Sequence, residues 1–578
     1  MAVIPSLLCR ARKHWLVIIV LVLFAGTALV VPTLAPAWVA DDWLYARSVG
    51  ILLRDHELRI MNLAVATGVF QVVWGALFAA PFGLTPGVLR VSTLVLSALG
   101  GLGAYGLCRE LGVKPGASAL GAALVLFAPL AYVLEFSFMS DAHFTSLLVL
   151  STYLYVRGEG RSLKACTLAG SVVAALAFLV RQQGVLIPLA VLTWLVLSRR
   201  LRLDGGGLRI AARVSGIPTL ACSCYYIWIT FIHGVPTAQR NLFVEIGRAG
   251  WSGMADITAR MVFIEAMYLG LFVLPICVAV VVGAGRPLVS PSRPAWLVGT
   301  GWAAVVVVGL LIFSADDRYM PYVPQFLTSW GLGPSDLHGG RPPIMGETFQ
   351  KWLTGATAAS TVVFGYLLSH RFLGRATAGP GQPGRGGGGL VLAVLAWQAV
   401  GAIPPSLHYV IPFPAGVLAF SLDRYLLPLL PLGVCLALWA LAEWRRPALW
   451  PAWVIAASFG VVSLVGTRDY LVFQRRVQQL ADELERSGIP TARIDAGAQW
   501  TGERLYDNRP HNPPSSLNRT WWVNFFAPDT DPAYVISTKP LTGYELVRKV
   551  PYSVWLSSKP AHLLVLRRTD AGATATAG

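Results

Sequence analysis

Apolar residues in this chain gather into long runs separated by short basic or turn-forming segments. The first run, residues 15–36, follows Arg10, Arg12 and Lys13; others lie at about 63–83, 90–107, 118–134, 142–156, 165–180 and 184–198. The series continues at about 213–232, 260–283, 295–313, 352–369, 390–405, 425–442 and 449–466. A helix needs about 20 predominantly apolar residues to cross a bilayer, so all fourteen are candidate spans, the shorter ones borrowing flanking residues. Residues 165–198 cannot be a single span, because a helix of that length at about 1.5 Å per residue would reach about 51 Å. Arg181, Gln182, Gln183 and Gly184 supply the turn. Although Ala35 and Ala37 form an A-x-A-like site, the first run exceeds the roughly 7 to 15 apolar residues of a signal peptide. An uncleaved first membrane helix is expected.

Charge decides which runs cross. If 63–83, which holds Gln71 and Trp74, lies in the outer interface, then segments 1–14, 108–118, 157–164, 199–213, 284–294, 370–389 and 443–448 share one side. Together they hold 20 Lys and Arg against four acids, Glu110, Glu159, Asp204 and Glu443, the bias of cytoplasmic loops. If 63–83 crosses, every one of these segments but the first moves to the side opposite Arg10, Arg12 and Lys13. The expectation is a polytopic α-helical membrane protein of about 13 spans, with juxtamembrane helices within 41–83.

Composition agrees: 55% of residues are hydrophobic and 13% charged, mean hydropathy is +0.60, and an average soluble domain is about 25% charged. That excludes a soluble globular protein. The net charge of +17 follows the loops, which argues against nucleic acid as a partner. The seven cysteines, Cys9, Cys108, Cys166, Cys222, Cys224, Cys277 and Cys435, show no metal or disulfide spacing and read as small buried hydrophobes. The last 112 residues carry 25 charges, about twice the earlier density. The chain therefore divides into a membrane domain, 1–466, and a water-facing α+β domain, 467–578, external in the 13-span arrangement. In the latter, Phe473, Val477, Leu480 and Leu484 repeat at helical spacing, and WWVNFF, AYVIST and HLLVLRR read as strands. Residues 374–389 read as a flexible linker.

Two acidic groups fall on the same external face: Asp41 and Asp42 after the first run, and Asp141 in the loop before 142–156. Clustered carboxylates there can take a proton from a hydroxyl or hold a divalent cation. The ordinary alternative is helix capping, by Asp42 before WLYARSVGILL and by Ser140 before AHFTSLLVL. Arg59, Arg90, Arg181, Arg318 and Arg424 fall near external helix ends, where a guanidinium suits a phosphate or simply anchors at the interface. His143 can bond a phosphate or carboxylate, or be a satisfied buried histidine. A second acidic pair, Asp316 and Asp317, opens the external loop 314–350, and Asn518-Arg519-Thr520 is an external sequon.

The run VADDWLYARSVGILLRDHEL, the segment QVVWGALFAAPFG, and the helix from Leu89-Arg90 to YGLCRELG resemble the start of the GT-C membrane glycosyltransferases. The likeness is to the glycosyltransferase family 39 type, which includes protein O-mannosyltransferases and aminoarabinose transferases. It implies that Asp41 and Asp42 are the acidic pair of the first external loop, Asp141 the acid of the second, and Tyr45 the tyrosine after the pair. DRYLLPLLP, from Asp423 to Pro431, resembles the family's late Arg-Tyr-Pro pattern. The Lys-Pro-Pro pattern of aminoarabinose transferases has no counterpart here, so its phosphate-binding lysine is not carried over. The resemblance implies transfer of a sugar, hexosyl or pentosyl, from a polyprenyl-phosphate donor to an extracytoplasmic glycan, lipid or protein in the cell envelope. It makes Asp41 the general base, supported by Asp42 and Asp141, and implies a bacterial cytoplasmic membrane. It leaves open whether magnesium or manganese is used, with Asp41, Asp42 and Asp141 as ligands in that case. A transporter or lipid flippase is the alternative; it calls for ionisable residues near helix midplanes and repeated halves, whereas Glu265 is the clearest such residue and no repeat occurs.

Overall fold

A computed structural model describes residues 3–202, 204–283, 293–334, 337–373, 385–406, 411–412, 418–419, 421–442, 448–508, 521–528, 530–557 and 560–569. Most of the expected linker, residues 374–384, and the sequon Asn518-Arg519-Thr520 lie outside them.

Each of the fourteen apolar runs is wholly or largely helical. The chain begins with α1 (Val3–Val30), α2 (Asp42–Asp55), α3 (Val69–Phe82), α4 (Pro86–Glu110), α5 (Pro115–Phe127), α6 (Pro129–Glu135) and α7 (Ser140–Arg161). Then come α8 (Lys164–Val180), α9 (Leu186–Leu197), α10 (Gly205–Trp228), α11 (Thr237–Gly283), α12 (Arg293–Ala315), α13 (Glu347–Leu373), α14 (Arg385–Ser406), α15 (Leu429–Leu441) and α16 (Trp450–Arg486). Starts follow local chemistry. Pro86, Pro115 and Pro129 stand at first helical positions, where no amide partner is lost. Thr85 and Asp204 accept from the amides of Val88 and Gly207.

Among the described residues, seven helices are long and apolar enough to cross a membrane, or eight if α5 and α6, bent by 62° at their junction, form one span. The 14-residue α3 is too short to span. As expected, α8 and α9 are separate; a 3₁₀ turn at Gln182–Val185 joins them. Gly184 permits it, since a Cβ there would lie 2.2 Å from the Phe178 nitrogen. Helix α7 is polar for its length, and over residues 140–152 its polar side chains, Ser140, Asp141, His143, Thr145, Ser146, Ser151 and Thr152, are all buried. It packs on α4 and α8 with this face inward.

Residue 467, where charge density rises, lies inside α16, which continues unbroken to Arg486. Short strand pairs join β1 (Leu327–Thr328) to β2 (Gly331–Leu332) and β3 (Ile411–Pro412) to β4 (Leu418–Ala419). After α16 comes a four-stranded sheet in the order β5-β6-β8-β7, from Ile494–Asp495, Tyr534–Ser537, Ala561–Arg568 and Tyr544–Tyr552, with β5 and β6 parallel and the other pairs antiparallel. AYVIST and HLLVLRR are thus strands. WWVNFF is not: Trp522–Phe526 forms α18, after α17 (Gly497–Leu505). Its first turn is held by the Asp495 carboxylate, which accepts from the Val523 amide at 3.1 Å, and by Asn524, whose side chain accepts from the Trp521 amide. Helix α16 packs on this sheet through Phe473, Val477 and Leu480, all fully buried, with Leu484 at the rim. Burial of one such leucine contributes about 1.5 to 3 kcal/mol, and a buried carboxylate adds a desolvation cost. Leu480→Asp is expected to make 467–578 protease-sensitive; resistance equal to wild type would contradict this packing.

Candidate active site

Asp41 and Asp42 differ sharply. Asp41 stands at the position before α2, yet its side chain caps no amide. It is half exposed and lies 3.3 Å from Nη1 of Arg424. Asp42 is buried and accepts from the Phe138 amide at 2.9 Å, tying the first loop to the segment before α7. Burial, opposed by that amide and by the Arg90 charge, pushes its carboxyl up to about 7. Since the folded value lies above the free value of 3.8, the stability present below pH 3.8 is lost as pH rises through about 7. Asp42→Asn keeps an acceptor for Phe138, so its melting temperature relative to wild type is expected to rise progressively between pH 4 and pH 7. A constant difference across that range would contradict this.

Ser140, the other expected cap, also caps nothing: it is the first helical residue of α7, and its hydroxyl accepts from Nε of Arg181 at 3.1 Å. Nη1 of the same guanidinium lies 2.9 Å from Oδ1 of Asp141 in a buried ion pair. The geometry falls short of a hydrogen bond, and among the described residues neither Asp141 oxygen accepts one. Arg181 and Arg424 both lie against the ring of Tyr425, at 5.3 and 5.4 Å. Tyr45 completes the group: it feels the charges of Asp41, Arg181 and Arg424 and bonds Ser140, and burial followed by the Asp41 charge pushes its hydroxyl up to about 12.

The structure thus gathers Asp41, Tyr45, Asp141, Arg181 and Arg424, with Asp42 directly behind. Arg90, His143, Arg59 and Arg318 are placed elsewhere. The buried Arg90 donates to the carbonyls of Thr33, Ala35 and Ala37, fixing the loop that leads to Asp41. His143 is buried with Nδ1 3.0 Å from the carbonyl of Met139, the residue just before α7. Arg59 is exposed. Arg318 lies against Phe313 and donates to the Tyr322 carbonyl. Of the five arginines, then, Arg181 and Arg424 stand beside the acidic residues, while Arg90 and Arg318 rest on backbone carbonyls or an aromatic face.

Three contributors escaped the sequence reading. Ser140 was read only as a cap, Tyr425 only as part of DRYLLPLLP, and Asp423 was given no role. Asp423 is fully buried and accepts from the amides of Gln325, Phe326 and Leu327 at 3.3, 2.9 and 2.6 Å, clamping that loop to the turn that carries Arg424 and Tyr425. An acid directly before Arg-Tyr was the available signal. For a divalent cation, Asp41, Asp42 and Asp141 are not arranged as a cage: each faces its own guanidinium or amide. Among the described residues no group of three or more His, Cys, Asp or Glu side chains is placed to hold a metal ion.

The C-terminal part packs on α2 and on the segment that follows it. Trp43 of α2 packs edge-on to Tyr506 and Phe526, Arg47 pairs with Asp507, and the Asn62 amide donates to the Tyr506 hydroxyl at 2.9 Å.

Residues 74–228 match the family model of dolichyl-phosphate-mannose-protein mannosyltransferase. The match runs from within α3 to the end of α10, so it includes Asp141 and Arg181 but not Asp41, Asp42 or Arg424. No curated protein matches the chain. Among solved structures, the archaeal oligosaccharyltransferase AglB from Archaeoglobus fulgidus, in complex with an inhibitory peptide and a dolichol-phosphate, is similar at 12% identity over 91% of this chain and 70% of its own, with TM-score 0.42. ArnT from Cupriavidus metallidurans is similar at 13% identity over 95% of this chain and 98% of its own, with TM-score 0.35. Arabinofuranosyltransferase AftD from Mycobacteria is similar at 14% identity over 96% of this chain and 40% of its own, with TM-score 0.36.

Proposed function

We propose that the chain is a membrane glycosyltransferase that takes a sugar from a polyprenyl-phosphate carrier and passes it to a hydroxyl-bearing acceptor outside the cytoplasm. The observation that carries this reading is the pairing of an exposed, non-capping carboxylate, Asp41, with Arg424 beside a second buried pair, Asp141 and Arg181. A carboxylate resting on a guanidinium occupies the place a phosphate would take. When a donor phosphate binds Arg424 bidentately, Asp41 is released to face the acceptor.

The acceptor oxygen then attacks the anomeric carbon. That carbon–oxygen bond forms as the bond to the phosphate oxygen breaks, the bonding electrons leave with the polyprenyl phosphate, and the acceptor proton passes to Asp41. Arg424 and Arg181 offset the charge growing on the phosphate. The open oxygens of Asp141 can accept from a sugar hydroxyl. Asp42 and Arg90 hold the Asp41 loop. A lipid-linked donor suits a site at the membrane edge, and whether the sugar is hexosyl or pentosyl is set by contacts beyond this cluster.

This reading takes the bundle as 13 spans, the eight apolar ones (with α5 and α6 as one) together with α1, α7, α8, α9 and α13, and places the C-terminal domain and the cluster outside a bacterial cytoplasmic membrane. Lys539 and Ser198 are both exposed, so an impermeant thiol reagent added from outside is expected to label Lys539→Cys and not Ser198→Cys; the opposite pattern would reverse the topology. To separate a transferase from a flippase, membranes carrying the chain are given a labelled polyprenyl-phosphate sugar. Label appearing in an acceptor supports transfer, and label that only changes leaflet contradicts it.

A further inference from the structure

A second polar cluster lies inside the helical bundle, away from the Asp41 group. A cavity of about 20 Å³ open to the centres of water-sized molecules is lined by Ser97 and Gly100 of α4, Glu135 of α6, Thr145 and Ser146 of α7, and Leu427. Ser97, Glu135 and Thr145 are each more than nine-tenths buried. Their polar atoms Ser97 Oγ, Glu135 Oε2 and Thr145 Oγ1 have no hydrogen-bond partner among the described residues. Three orphaned groups around one small space are costly in a low-dielectric interior, and roughly 10–15 Å³ on this measure admits one water. Gly100 keeps the wall thin, since a Cβ there would come within 2.7 Å of Ser146 Oγ.

We infer that Ser97, Glu135 and Thr145 form a binding site for one water molecule within the bundle, with the Glu135 carboxyl in its neutral acid form. The water can donate to and accept from two hydroxyls and a carboxyl, which matches its capacity. The neutral form follows from the surroundings. Glu135 is the last residue of α6, where helix carbonyls disfavour a negative charge. Among the described residues it has no ion-pair partner, and an unpaired buried carboxylate would cost several kcal/mol. Its titratable neighbour is Tyr132 of the same helix.

Thr145 is four residues beyond Asp141 on the same face of α7, so this water sits about one turn, ~5.4 Å, behind the Asp141–Arg181 pair. It joins α4, α6 and α7 at that level. Its presence is independent of the transfer chemistry.

Infrared difference spectra of the full chain in lipid nanodiscs, wild type minus Glu135→Gln at neutral pH, test this. The expected result is a protonated-carboxyl C=O band that moves in heavy water, persists on adding sodium chloride, moves to higher frequency in Thr145→Val and returns in Thr145→Ser. Absence of the band would show an ionised Glu135. Loss of the band with sodium would replace the water with a cation. An unmoved band in both Thr145→Val and Ser97→Ala would mean a dry cavity. Each of these three results overturns the inference. The heavy-water and sodium arms need only wild type and the near-isosteric Glu135→Gln.

Discussion

Asp41→Asn is expected to lower sugar transfer about 100- to 10,000-fold, the usual contribution of a general base, while leaving folding and abundance near wild type. The second half of that expectation comes from exposure. Asp41 is half in solvent, its ion pair with Arg424 is 3.3 Å long, and it caps no helix. Arg424 is buried, but it keeps its place against the Tyr425 ring, and the carboxylate end of the pair is open to water, which screens the charge. Asparagine keeps the shape and can still accept from Arg424, but it cannot take the acceptor proton. The loss should fall on kcat more than on KM, because the donor phosphate binds through the arginines. A rate within a few-fold of wild type would remove Asp41 from the chemistry.

Asp141→Asn should fail differently. Asp141 and Arg181 are both buried, at 2.9 Å, so neutralising the acid strands a guanidinium in the bundle. Breaking one side of such a pair costs about 3 to 5 kcal/mol. The variant should therefore melt markedly lower in detergent and also lose transfer. Adding Arg181→Gln removes the stranded charge and is expected to restore much of the melting temperature without restoring transfer, since the phosphate then lacks one cation. If the single variant melts like wild type, the pair does not hold the site together. If the double variant regains transfer, Arg181 does not bind the donor.

The membrane part was legible because its signals are long. Apolar runs and basic loops predict helices wherever both are sustained, and Arg181 to Gly184 supply the turn that divides α8 from α9. The C-terminal sheet was only partly legible. Strands β6 and β8 are apolar and central, whereas β7, at the sheet edge, is largely exposed and carries no alternating pattern to betray it. WWVNFF has strand composition, but Asp495, distant in sequence, captures the amide of Val523, and no local pattern encodes that.

The site divides along the same line. Asp41, Asp42 and Asp141 stand out in the sequence as acids at external helix ends, Tyr45 enters only through the resemblance, and Asp41, Tyr45 and Asp141 meet in space. Sequence could not separate Arg181 and Arg424 from Arg90, because all three are arginines near helix ends. Only the fold shows that Arg90 is consumed by the carbonyls of Thr33, Ala35 and Ala37 while the other two flank one tyrosine ring. Capping, the ordinary explanation for Asp42 and Ser140, fails because the Phe138 amide and Arg181 take those side chains instead.

The measurement that bears most directly on this account is transfer of labelled sugar from a polyprenyl-phosphate donor in membranes holding equal amounts of wild type, Asp41→Asn and Asp316→Asn. Asp316 has its amide bonded to the Phe313 carbonyl in the later loop and belongs to no part of the cluster. The account predicts transfer nearly abolished in Asp41→Asn and little changed in Asp316→Asn. Near-normal transfer by Asp41→Asn together with loss in Asp316→Asn would move the active site to the later loop and contradict it.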